Sequence, residues 1–186
     1  MDLFKPYSRN KKSDALSLSY ITLRQLIGFL GIMLPAVCIL GGFTFAGLGI
    51  QRSISFYYHT NMRDFFVGLM FGVGFFLLSY KGYARIDTIL AVIMGISGIG
   101  IAAFPCMPAY QWGHIGMFML PERTSDILHT VSAGTFFVAM AITSTFVFTM
   151  SDKRNHRQTR KKRMRNAVYI VCGIVIFVSL AALLVL

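Results

Sequence analysis

Five long apolar blocks constrain this chain more than any other feature: residues 26–50, 65–80, 86–105, 127–150 and 167–186. As a helix, each is close to the length needed to cross roughly 30 Å of hydrocarbon, the second being the shortest. In that solvent every backbone group must be bonded within its own segment, which a helix achieves and an isolated strand does not. A soluble bundle would need polar helix faces that these blocks lack. With 55% apolar and 13% charged residues, the composition also lies outside the range of soluble domains. The expectation is an all-α, polytopic transmembrane helical bundle of five spans. The boundaries are 26–50, 65–80, 86–105, 121–150 and 167–186, where Pro121 serves the first turn of the fourth helix. Residues 1–24 form a basic cytoplasmic tail and residues 25–186 the membrane domain. The fifth block reaches Leu186 with no polar flank after it, as in a six-helix bundle lacking its last helix.

A net charge of +11 invites a nucleic-acid reading, but the distribution of the charge argues against it. Lys5, Arg9, Lys11, Lys12 and Arg24 precede the first span, and Lys81 and Arg85 lie between the second and third. Eight more basic residues lie in 151–166, before the last span. Arg52, Arg63 and Arg123 fall on the other side. Fifteen of the 18 basic residues thus share one face, which the positive-inside rule assigns to the cytoplasm together with the N-terminus. The expected location is a bacterial inner membrane. The expected partners are membrane lipids, with anionic inner-leaflet lipids at residues 151–166, a homo-oligomer or a partner helix, and no nucleic acid.

Gly68 and Gly72 stand at the GxxxG spacing, with Gly74 just after, and the third span carries Ala91, Gly95, Gly98 and Gly100. Small residues so spaced let helix backbones approach closely. The brief Lys81-Gly82-Tyr83 connection makes spans two and three an antiparallel hairpin. Cys38, Cys106 and Cys172 make an odd set without CxxC spacing, so no disulfide within the chain is expected. The aromatic, Met-rich loop 106–120 is expected to lie on the membrane surface or to close over the bundle.

Polar chemistry gathers at the outer end. Ser55, His59 and Arg63 are four apart and would share one face of a helix with Tyr58 nearby, and Asp64 follows. Glu122, Asp126 and His129 are spaced four and three and share a face at the start of span four. These eight residues form a candidate polar pocket. His59, His129 and Asp126 would supply the nitrogen and oxygen ligands that suit zinc or another divalent ion, and an open position could activate water. Three functional classes follow. The first is a module binding a lipid, small ligand or partner helix at the pocket. The second is a metal-dependent hydrolase of a lipid amide or ester, and the third a small transporter or channel subunit. HExxH, GxSxG and phosphate-loop motifs are absent, so the sequence leaves open whether the protein is an enzyme.

The order YYHTNMRDFFVG (57–68), YKGY (80–83), Asp87 opening span three, AAFP (102–105), LHTVSAGTFF (128–137) and RNAVYIVCG (165–173) resembles a family of uncharacterised bacterial multi-pass proteins. The resemblance covers roughly residues 20–175, is specific at YHTNMRD and YKGY, and implies a small helical inner-membrane protein. More distantly, the FP turn followed by a histidine in the next span resembles the DRAM-like membrane families. The Ser55-x-x-x-His59 pair is similar to the CREST superfamily of membrane metal hydrolases, which would imply His59 as a zinc ligand supported by Ser55. The chain departs from that pattern in having five spans rather than seven and no HxxxH near the C-terminus.

Overall fold

The computed structural model describes residues 14–82, 84–110, 113–150 and 160–185, with side chains from 22 to 183. Five helices account for most of it: α1 (Asp14–Ala46), α2 (Arg63–Ser79), α3 (Arg85–Ala103), α4 (Glu122–Ile142) and α5 (Arg160–Val185). A 3-10 turn, Ile54–His59, lies between α1 and α2, and a π-helical turn, Thr143–Val147, continues α4. Two two-residue strands, β1 (His114–Ile115) and β2 (Leu120–Pro121), pair antiparallel with His114 opposite Pro121. The all-α bundle read from the apolar blocks is the fold.

Among the described residues, four stretches are long and apolar enough to cross a membrane: Thr22–Ala46, Arg85–Ala103, Glu122–Val147 and Arg160–Leu183. Helix α2, at 17 residues, rises about 25 Å and is the short member. α1 runs unbroken through Pro35 from Asp14, so helix already covers part of the stretch expected as tail. Residues 1–13 and 151–159, which hold four and three of the basic residues counted above, lie outside the described residues, as do Tyr83 and Trp112. Gly47 ends α1 at φ +60, a backbone conformation that costs glycine little, and Leu48 N–H donates to the Gly42 carbonyl.

The helices alternate in direction. Close approaches between residues 30 and 72 (α1 to α2), 74 and 99 (α2 to α3), and 100 and 132 (α3 to α4) mark antiparallel neighbours. α4 and α5 meet where Ser144 Oγ donates to the Tyr169 carbonyl at 2.7 Å. The upper end of the bundle thus holds the 3-10 turn and loop 104–121, and the lower end the α2–α3 connection and the start of α5. An upper core packs Cys38, Tyr57, Tyr58, Met62, Phe66 and Ile101, and a lower one Val73, Leu77, Tyr80, Leu90, Met94 and Ala139.

The backbone contact between α2 and α3 falls just beyond the Gly68–Gly72 pair, at Gly74 and Gly95. A Cβ on Gly74 would lie 2.7 Å from Ile99 Cγ1 and 3.0 Å from the Gly95 carbonyl, so α2 and α3 touch backbone to backbone there. Gly68 faces open space, and Gly72 meets only Leu30, at 3.6 Å. α1 and α5 have few neighbours, and their outer faces present Phe29, Phe43, Val171, Val175 and Val178. In hydrocarbon such faces need no protein cover.

Candidate functional site

The upper end is built around the exit of the chain from α3. A helix leaves its last carbonyls without intrahelical partners, and the residue before a proline is driven into extended conformation. Phe104, ahead of Pro105, adopts φ −110 and ψ 106. The backbone then runs across the top of α4 with its polar groups turned to side chains. His129 Nδ1–H donates to the Phe104 carbonyl at 2.7 Å, and Ser125 Oγ–H to the Pro105 carbonyl at 2.8 Å. His59 Nε2–H donates to the Cys106 carbonyl at 2.8 Å, and Asp126 Oδ1 accepts from Met107 N–H at 2.7 Å. Four consecutive residues are therefore each held by one side chain. Further along the loop, Glu122 Oε1 accepts from Gly113 N–H at 2.7 Å.

Glu122, Asp126 and His129 share the face of α4 that their spacing gives, joined by Ser125, which the sequence reading passed over and which is 1% exposed. The 55–63 stretch differs from its helical reading. Ser53 Oγ accepts from Phe56 N–H and starts a 3-10 turn, and Thr60, extended at φ −124 and ψ 179, breaks it before α2. With three residues per turn instead of 3.6, residues four apart no longer align. Ser55 turns to the bundle interior, His59 to Cys106, and Arg63 to Tyr58, whose hydroxyl accepts from Nη2 at 2.9 Å beneath the guanidinium. Asp64 sits in the first turn of α2, where the helix dipole favours a negative charge.

A carbonyl can only accept, so these contacts place the proton on His59 Nε2 and His129 Nδ1. Metal-bound histidines often use one nitrogen in this way. Among the described residues, no group of three or more His, Cys, Asp and Glu side chains is arranged to hold a metal ion. The Cys106 thiol is pushed up to about 11, first by burial and then by the nearby Asp126 charge. It is therefore protonated and a poor nucleophile at neutral pH. All three cysteines are free thiols.

A second feature was not legible in the sequence. Between α1 on one side and α4–α5 on the other, with α2 and α3 as its floor, lies a cavity of about 690 Å³. Its wall is almost wholly apolar: Leu34 and Pro35 from α1, Met70 and Val73 from α2, Met94 from α3 and Phe136 from α4 are typical. The cavity reaches Ile54 and Ser55 at the upper end and Arg24, Tyr80, Asp87 and Tyr169 at the lower. Polar side chains thus concentrate at one end. Asp87 is 3% exposed, in the first turn of α3, and its Oδ2 accepts from the Tyr80 hydroxyl at 3.2 Å. The π-turn supplies Thr143 and Ser144 to the wall, with their hydroxyls donated to the Ala139 and Tyr169 carbonyls.

These features define a multi-pass integral membrane protein with a polar clasp at one end and an apolar cleft inside the bundle. A family model described as "Protein of unknown function (DUF998)" matches residues 48–186, and the chain belongs to that family. Neither a curated protein nor a solved structure matches it.

Proposed function

We propose that this protein is a membrane-embedded binding module whose interhelical cleft holds the apolar tail of an amphiphile. The observation that carries this reading is the size and chemistry of the cleft. At about 690 Å³, apolar along its length and polar at one end, it falls in the size range of small-molecule sites. The outer polar residues, which alone would suggest a ligand pocket, are mostly spent on the loop backbone. The ligand is therefore assigned to the cleft, with Ser55 as the link between the two features. In the proposed orientation the clasp faces outward across a bacterial inner membrane, and the basic first turns of α5 (Arg160, Lys161, Lys162, Arg163, Arg165) meet anionic headgroups. Those cations stand at a helix N-terminus, where the dipole opposes them and negative lipid would offset the repulsion.

Filling the cleft tests the proposal. Gly31 and Ala133 line it, and a Cβ at Gly31 meets nothing within 4 Å. Gly31→Phe and Ala133→Phe should each weaken binding of a fluorescent polyene alcohol at least tenfold, with the thermal midpoint in detergent retained. Wild-type affinity in both folded variants would sink the proposal.

A further inference from the structure

The lower end of the cleft carries an arginine that, among the described residues, makes no ion pair. Arg24 lines the cavity and is half-buried, and its Cζ stands 4.0 Å over the ring of Phe148. Among the described residues, the guanidinium makes that contact and has no hydrogen bond or ion pair. Phe148 in turn packs against Tyr169, with ring centroids 5.2 Å apart. Tyr169 also lines the cavity, and among the described residues its hydroxyl has no hydrogen-bond partner. Two groups able to donate, one of them cationic, are thus positioned by a shared aromatic ring at the mouth of an apolar cleft. An unpaired charge at the edge of hydrocarbon is costly, and the planar fork of arginine matches a carboxylate or phosphate two bonds at a time.

Asp87, on the same wall, carries the opposite sign but is withdrawn. Its carboxylate is nearly inaccessible, is bonded by Tyr80, and lies at a helix N-terminus that favours its charge. Among the described residues, Arg24 and Asp87 form no ion pair.

We infer that Arg24 is the headgroup site of the cleft and that the ligand is an anionic amphiphile, a long-chain carboxylate or phosphate monoester. This inference rests on the cleft being a tail site. The alternative is an arginine that only reaches for the membrane surface, as arginines near span ends do.

The test is displacement of the polyene alcohol from the full chain in neutral-lipid nanodiscs. The competitors have matched chain length and end in a carboxylate, a phosphate, an alcohol or a trimethylammonium group. Wild type should be displaced by the two anionic ligands at least tenfold better than by the neutral and cationic ones. Arg24→Gln should lose that preference, and Arg24→Lys should recover part of it. The carboxylate and phosphate arms tell the two anion classes apart. Equal displacement by all heads in wild type, or a preference retained in Arg24→Gln, overturns the assignment. Displacement by inorganic phosphate alone also overturns it, because the site would then read an anion without a tail. Failure of the polyene alcohol to bind wild type at all would instead overturn the tail site itself.

Discussion

His129 Nδ1 lies 2.7 Å from the carbonyl oxygen of Phe104, 25 residues earlier in the chain, and this contact begins the seam that fastens the α3 exit to α4. Ser125, His59 and Asp126 continue it over the next three residues. The seam gives a side-chain partner to three carbonyls and one amide of the four residues that follow α3, where the backbone has neither helix nor strand to bond it.

Removing one of these donors should therefore act on stability. His129→Ala leaves the Phe104 carbonyl without its partner in a site where His129 itself is 5% exposed, at a cost of about 1–3 kcal/mol. Ser125→Ala should cost about 1 kcal/mol for the same reason. Thermal unfolding in detergent measures both. The losses should be the same with and without a chelator. A loss seen for wild type on adding chelator, and absent in His129→Ala, would instead support a metal site at His129.

The glycine contacts separate two helix faces. Gly74→Ala would place a Cβ 3.0 Å from the Gly95 backbone carbonyl and should destabilise by about 1–3 kcal/mol. Gly68→Ala meets open space and should be neutral or stabilise by up to about 1 kcal/mol through helix propensity. Equal effects at the two positions would mean that α2 packs on α3 through another face.

Cys106 should be slow to alkylate. Raised from 9.0 to about 11, its thiol holds about a hundredfold less thiolate near neutral pH than an unperturbed one. In a Cys38→Ala, Cys172→Ser background, the rate with a small haloacetamide should keep rising past pH 9 and level off only near 11. Asp126→Asn retains an oxygen for Met107 N–H and removes a charge that favours the protonated thiol, so the curve should move to lower pH. A plateau by pH 9 in the parent protein would contradict this assignment.

Tyr80→Phe tests the lower end. It deletes the hydroxyl that donates to the buried Asp87 and should lower stability by about 1–2 kcal/mol. Asp87→Leu should cost less in that background than in the wild type, since the hydroxyl's share of the pairing is already gone. Additive losses in the double variant would show that the two residues do not act as a pair.

The sequence by itself determined the class of fold, because five blocks too apolar for water leave the chain one solvent and helix the economical way to satisfy its backbone there. It also determined which residues of α4 act together, since Glu122, Asp126 and His129 fall on one face by helical period alone. Only the tertiary structure decided what that face does: it grips the loop backbone, and carbonyl and amide positions leave no trace in side-chain spacing. The face expected from Ser55, His59 and Arg63 was lost for a local reason, since a 3-10 turn capped by Ser53 has a different period from the helix that four-residue spacing implies. Gly74 and Gly95 stood among the small residues read as packing positions, but which of those residues meet was hidden, because spacing marks a smooth face without naming its neighbour. The cleft was the least legible feature. It exists because α1 leans on α2 while α5 leans on α4, and a gap between helices belongs to their arrangement and to no residue in particular.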